Sequence, residues 1–402
     1  MTEAPIPHGI PTERDAGPFD SPRAVTRLRE SRPISRLVFP DGHDGYVITG
    51  YELARAFISD TRFSSRMDTY QLHMPVDADG MATIPPMPTQ PGMFIKMDPP
   101  DHSRLRTLVT GTFTVKRMKQ WETFIGEAVE RQLDHLAGLQ PPADLVKEFA
   151  LPIPSLVISE LLGVPYADRE FFQDITTKAM TLDIDVNERI AAYTAGTEYL
   201  TELVRRKHTE PGDDLLSDLL RRGDATDEEV VGMGQLLLGA GHETTANMLA
   251  LGTFALLEHP EQLAALRAEP ELMPGAVEEL LRYLTIADIG VRVAASDVEF
   301  GGERIAEGTC VAVSMLAANR DPARFDDPDT LDVRRNARGH LSFGHGIHQC
   351  LGQQLARIEV RAGIGGLLRR FGDLRLAVPA AKIPLRTNMQ VYGVHELPVA
   401  WG

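Results

Sequence analysis

The 402-residue sequence predicts a mainly α-helical fold with small β-sheets. Segments rich in Leu, Ala, Glu and Arg, apolar at every third or fourth position, recur at 118–138, 187–208, 227–258, 260–284 and 351–371. Runs with strand character are short and bounded by Gly or Pro, at 46–49, 297–299, 309–315 and 391–399. No linker, repeat or low-complexity tract divides the chain, so a single domain is expected over 1–402. Within it, residues 1–15 are expected to be flexible, and the Met-, Pro- and Gly-rich stretch 67–97 to form a lid-like loop.

In chain order, the first chemical signal is D-P-P-D-H-S-R-L-R at 98–106, where Pro99 and Pro100 precede a helix. His102 and Arg106, four residues apart, share a face of that helix. The segment 227–258 is apolar nearly all round as far as Leu251, which predicts a helix through the core, and Thr226 with Glu229 predicts its capping box. Inside it A-G-H-E-T-T, residues 240–245, breaks the apolar pattern with two small residues, an acid and two hydroxyls. Glu279 and Arg282 stand three apart on one helix face, the spacing of an ion pair. An Arg/Asp-rich stretch, 318–335, then leads to S-F-G-H-G-I-H-Q-C-L-G at 342–352.

A formal charge of −16 argues against a nucleic-acid partner, which needs a cationic face. Two cysteines and no C-x-x-C leave no disulfide framework or structural-zinc pattern to propose. No run of 18 apolar residues and no basic, apolar leader occurs, so a cytoplasmic protein that does not insert in a membrane is expected.

Cys350 is the unusual residue. As a free cysteine it could be a small buried hydrophobe. His345, His348 and Cys350 are zinc-ligand types, although no fourth ligand stands nearby. Either histidine could activate a thiol nucleophile. The fourth reading is an axial thiolate to haem iron, supported by Gly344, Gly346 and Gly352, which bring backbone N–H groups toward sulfur, and by the helix that follows.

F-G-H-G-I-H-Q-C-L-G, residues 343–352, resembles the cysteine-ligand loop of the cytochromes P-450, the haem-thiolate monooxygenases. The resemblance is to their soluble bacterial, actinomycete-like class. It implies a P-450 fold with the long central helix 227–258 over haem b, Cys350 as the iron's axial ligand, Phe343 packed by the sulfur and His348 at a haem propionate. Gly344 and Gly352 fall in the same pattern. The other motifs occur in the family's order. Glu279 and Arg282 resemble its E-x-x-R pair, and Arg335 would join them in a buried charge network. His102, Arg106 and Arg292 take the places of propionate-binding residues. Ala240 and Gly241 leave room for dioxygen, Thr244 hydrogen-bonds near it, and Glu243 is the carboxylate relay from solvent. A Thr hydroxyl bonded back to the carbonyl one turn earlier is compatible with that role.

The implied activity inserts one oxygen atom from O2 into an apolar small molecule, by hydroxylation or epoxidation, in secondary metabolism or xenobiotic or steroid oxidation. Electrons must come from outside, because the chain has no G-x-G-x-x-G strand–helix unit and no cysteine set for an iron–sulfur cluster. A ferredoxin or flavodoxin with its NAD(P)H reductase is the expected partner of a monomer. Its docking face would carry Arg104, Lys116, Arg117, Arg334, Arg335 and Arg338. The resemblance places pocket walls at Met93, Gln235, Ile286, Ile289, Val291, Met389 and Val391, an apolar lining of adaptable shape. A haem-thiolate peroxygenase or non-redox haem enzyme would keep Cys350 without needing Glu243 and Thr244. A haem-binding sensor would need an output module, which the sequence lacks.

Overall fold

The computed structural model describes residues 6, 7, 9, 11–39, 42–66 and 89–402. Residues 67–88 of the expected lid, and the first five of the chain, lie outside the described residues. Among the described residues the architecture is mainly helical with three small sheets, and the largest core gathers the long helices. At the centre runs the helix Asp227–Glu258, capped by the box that the sequence predicts: Thr226 and Glu229 satisfy each other's backbone N–H groups. Its residues from Thr245 to Leu256 are buried on every side.

Glycines set how closely other segments approach this helix. A Cβ on Gly92 would fall 2.0 Å from the Glu229 carbonyl, and one on Gly232 would fall 1.8 Å from that of Pro91. The segment before Met93 can therefore cross the helix only because both residues lack side chains. Near the other end, Gly363 of the helix Gln353–Arg370 admits the Leu249 side chain, where a Cβ would come within 2.5 Å.

The five-stranded sheet has the order Ile34–Val38, Asp44–Ile48, Cys310–Ser314, Ile289–Ala294, Phe63–Ser64. Only the second and third of these pair in parallel. In this sheet Arg292 stands opposite Val311, and the short strand Phe63–Ser64 lies beside it. A two-stranded hairpin, Val298–Phe300 with Glu303–Ile305, turns on Gly301 and Gly302, both at positive φ as such a tight turn needs.

Two expectations require correction. The helix expected over 260–284 is broken: Pro260–Ala268 ends at an extended Glu269, a 3-10 turn Pro270–Leu272 intervenes, and Met273–Leu284 begins anew. Pro270 removes a backbone donor and forces the preceding residue out of the helical region. The strand expected over 391–399 shrinks to Pro398–Ala400, because 385–394 folds as a hairpin whose Gly393 lies against Asn247 of the central helix. Described residues between Pro7 and Arg14 make contacts with the rest of the fold. Val38 and Pro7, then Gly9 and Val38, exchange backbone hydrogen bonds, and Arg14 reaches the Leu284 carbonyl at 2.8 Å while stacking on Tyr392.

Candidate haem-thiolate site

The cysteine loop is shaped by its glycines. Gly344 and Gly346 both adopt positive φ, and a Cβ on Gly346 would collide with the backbone of Ser59 at 2.8 Å. The loop closes with the Cys350 N–H donating to the Phe343 carbonyl at 2.8 Å. Burial of the region pushes the Cys350 thiol up; the Gly352 N–H, Arg106 and Arg357 pull the other way by favouring the thiolate. Yet the cysteine presents accessible surface. Deep placement together with an accessible side chain puts it on the wall of an interior cleft. Phe343 lies beneath the Arg357 guanidinium, 4.5 Å from ring centroid to carbon, and Arg357 is fixed in turn by Glu278 at 2.6 Å.

Beside this loop four cation-capable side chains gather from three parts of the chain. His102 comes from the helix Asp101–Thr110, which also brings Arg106; Arg292 comes from the five-stranded sheet, and His348 from the loop itself. The His102 and His348 rings are 4.2 Å apart. Arg106 donates to the Gln349 carbonyl at 2.5 Å, and His348 meets the Ser65 hydroxyl at 3.1 Å. His102 is 1% exposed with neither ring nitrogen hydrogen-bonded, and Arg292 makes no hydrogen bond or ion pair to a described side chain. Burial and mutual repulsion hold these groups toward their uncharged forms. Burial, Arg292, His102 and Arg106 push His348 down to about 2, and burial brings Arg292 down to about 10. The nearby acid, Asp98, is already engaged by Ser64 and by the Ser65 N–H. Such a cluster fits a ligand that brings carboxylates of its own, as haem does with its two propionates.

The central helix presents a different surface to the interior. Leu236, Ala240 and Thr244 recur every four residues and are exposed or half-buried, whereas most neighbouring residues of the helix are buried. One stripe of a core helix therefore borders open space, lined by small or hydroxylic residues, with Gly241 half-buried beside it. The Thr244 hydroxyl donates to the Ala240 carbonyl at 2.8 Å, so its oxygen lone pairs stay free to accept. Glu243, expected as the carboxylate relay, is 2% exposed and is held by the Thr177 hydroxyl at 2.7 Å, by the Arg386 guanidinium and by the Asn247 amide. Burial opposes its charge, but Arg386, His242 and Thr177 together keep the carboxyl below its ordinary range. His242 is fully buried, its Nδ1 meets the Leu238 carbonyl at 3.0 Å, and burial favours its neutral form.

Glu279, Arg282 and Arg335 do come together. Arg282 donates twice to Glu279, at 2.7 and 2.8 Å, and Arg335 donates to it at 3.1 Å. Since Arg335 is spent there, it leaves the expected docking face. Of the other cations expected on that face, Arg334 pairs with Glu269 and Arg104 with Glu229, while Lys116, Arg117 and Arg338 are exposed. Among the expected pocket residues, Gln235 bonds to Tyr193 and Thr197, the Ile286 carbonyl accepts from Tyr392, and Met389 pairs with Thr181. Met93 and Val391 are buried; Ile289 and Val291 are half-buried in the sheet. Sequence reasoning missed Arg386 and Thr177. They lie 143 and 66 residues from Glu243 in the chain, and no spacing signal links them to it.

A family model described as cytochrome P450 matches residues 197–393. The chain is 46% identical to pentalenic acid synthase of Streptomyces avermitilis, covering 100% of this chain and 99% of that protein. It is 44% identical to the vitamin D3 dihydroxylase of Streptomyces griseolus, covering 100% and 98%. Among solved structures, the CYP105P1 complex with filipin I superposes with a TM-score of 0.92 at 42% identity, covering 99% of both chains.

Proposed function

The chain belongs to the cytochrome P450 family and is a haem b monooxygenase, and from that premise we propose that Cys350 holds the iron and that the residues gathered around it divide the remaining work. The overall reaction is R–H + O2 + 2 e− + 2 H+ giving R–OH + H2O, with haem supplying the redox chemistry. Cys350 Sγ binds as thiolate, which the Gly352 N–H, Arg106 and Arg357 favour and a metal cation would complete. His102, Arg106, Arg292 and His348 would hold the two propionates. The observation that carries this reading is that two arginines and two histidines held neutral gather beside the cysteine loop, with Asp98, the acid near them, already engaged by Ser64 and Ser65.

Thr244 Oγ1 and the Glu243 carboxyl move the protons, while Ala240 and Gly241 keep the stripe between them clear of side-chain bulk. Glu279, Arg282 and Arg335 hold the elements that frame the site. The substrate is an apolar small molecule bounded by Met93, Gln235, Ile286, Ile289, Val291, Met389 and Val391. Relatives named for pentalenic acid and for vitamin D3 support that class. Electrons come from a ferredoxin-type partner, for which Lys116, Arg117 and Arg338 supply exposed cations, and the chain acts as a monomer. Among the described residues no helix is long and apolar enough to cross a membrane. The test is the absorption spectrum of reduced protein under carbon monoxide. A strongly red-shifted Soret band that Cys350→Ala abolishes is expected; its survival in that variant overturns the assignment.

A further inference from the structure

Glu243 is tied to two segments that are themselves tied together. Thr177, on the helix Arg169–Met180, donates to one carboxylate oxygen, and Arg386, on the hairpin 385–394, donates to the other. Past these contacts the two segments join. The Leu182 N–H donates to the Asn388 carbonyl at 2.8 Å and the Gln390 N–H to the Met180 carbonyl at 3.0 Å; Thr181 pairs with Met389, and the Asn388 amide holds Asp183 at 2.9 Å. The hairpin meets the central helix at the Arg386–Glu243 bond and, one turn along, at Gly393, where a Cβ would come within 1.9 Å of Asn247 Oδ1. The Arg386 N–H donates to the Gly393 carbonyl at 2.9 Å, so the two footholds are linked. The same hairpin carries Met389 and Val391, two of the proposed pocket walls.

We propose that Arg386 is a positioning residue that latches Glu243 to this wall, so that an apolar substrate pressing on Met389 and Val391 loosens the latch and frees the carboxyl to serve Thr244. This rests on the roles given above to Glu243 and Thr244. Adjacent positions on a helix point about 100° apart, so the latched carboxylate faces away from the stripe that bears Thr244. Latched, Glu243 is an anion beside Arg386, with His242 and His395 the other titratable groups that face it, and it has no proton to give. Freed, a carboxyl in that buried place takes a proton. It passes that proton to Thr244 Oγ1, or to a water bonded there, Oγ1 passes its own onward, and Glu243 is recharged from solvent; no electron moves in this step. The Arg386 Nε is buried without a partner, so this guanidinium is held less completely than a structural one.

The test uses holoenzyme carrying Arg386→Met, with Arg386→Lys and Thr177→Val as companions, after each has shown the reduced carbon-monoxide band of wild type. Three readouts decide it. Infrared difference spectra at neutral pH should show a protonated-carboxyl band in Arg386→Met that vanishes when Glu243→Gln is added, and no such band in wild type. Hydrogen–deuterium exchange should rise in both 177–183 and 384–394. With a plant-type ferredoxin and its NADPH reductase but no substrate, NADPH oxidation should rise roughly tenfold, a fraction of the ~10²–10⁴ that general acid–base placement carries. Arg386→Lys should retain most of the wild-type behaviour, and Thr177→Val should give a smaller change than Arg386→Met. Absence of the new band, or exchange that rises in 384–394 alone, overturns the latch while leaving the monooxygenase reading intact. Loss of the carbon-monoxide band in wild type would instead sink that reading.

Discussion

The charge clusters around Glu279 and around His348 differ in whether the chain completes them. Around Glu279 every charge is matched: the carboxylate accepts from Arg282 twice, from Arg335 and from the Asp332 N–H, and Arg282 spends its other donors on the Asn319 and Pro328 carbonyls. Around His348 two arginines face two histidines held neutral, and the acid beside them, Asp98, is engaged by two serines. The first cluster is a finished joint between the helix Met273–Leu284 and the loop that precedes the cysteine. The second is a socket. A buried pair that is fully hydrogen-bonded costs the fold little but is dangerous to break, whereas unmatched buried cations store repulsion that a ligand's carboxylates relieve.

The largest expected effect comes from breaking the finished joint. Arg282→Ala leaves Glu279 charged at a fully buried position, which costs about 3–5 kcal/mol and strands several carbonyls. Little folded haem protein should accumulate, and any that does should show a urea midpoint far below wild type. An unchanged midpoint would mean that the joint is not a source of stability.

Glu359 sharpens the contrast, as a buried acid with no cation beside it. Burial lifts its carboxyl to about 8, and one oxygen has no partner. Because the folded value lies above the ordinary one, the folded chain binds the extra proton between about pH 4.5 and 8, and stability falls as pH rises through that window. The loss reaches roughly 5 kcal/mol at its limit. Glu359→Gln should remove that slope, so that the variant gains on wild type steadily from pH 5 to 8.5 in thermal unfolding. A constant offset between the two curves would refute the assignment.

How much of this the sequence discloses depends on whether partners are close in the chain. Glu279 with Arg282, and Thr226 with Glu229, are three residues apart, and helical geometry alone brings each pair together. The cysteine loop is legible for a related reason: Gly344 and Gly346 are needed by the backbone itself, so the pattern survives as local sequence. Arg292 and His102 become legible only through resemblance, since the sheet and a separate helix carry them to His348. Arg386 and Thr177 are silent. Nothing near either residue records that a hairpin from the end of the chain and a helix from its middle will meet at Glu243.

The smallest effect tests the socket directly and has an unusual sign. Arg292→Met removes a half-buried cation that has no side-chain hydrogen-bond partner among the described residues and whose desolvation brings it down to about 10. The apoprotein should therefore unfold at the same temperature as wild type or slightly higher, because methionine fills the space without a charge to desolvate. The holoprotein should lose haem to a competing apoglobin roughly tenfold faster, which corresponds to about 1.4 kcal/mol of lost propionate contact. A finished joint cannot behave this way, since its removal costs the empty and loaded protein alike. If Arg292→Met destabilises the apoprotein while haem loss is unchanged, the cation is structural, and the distinction between socket and joint fails at this residue.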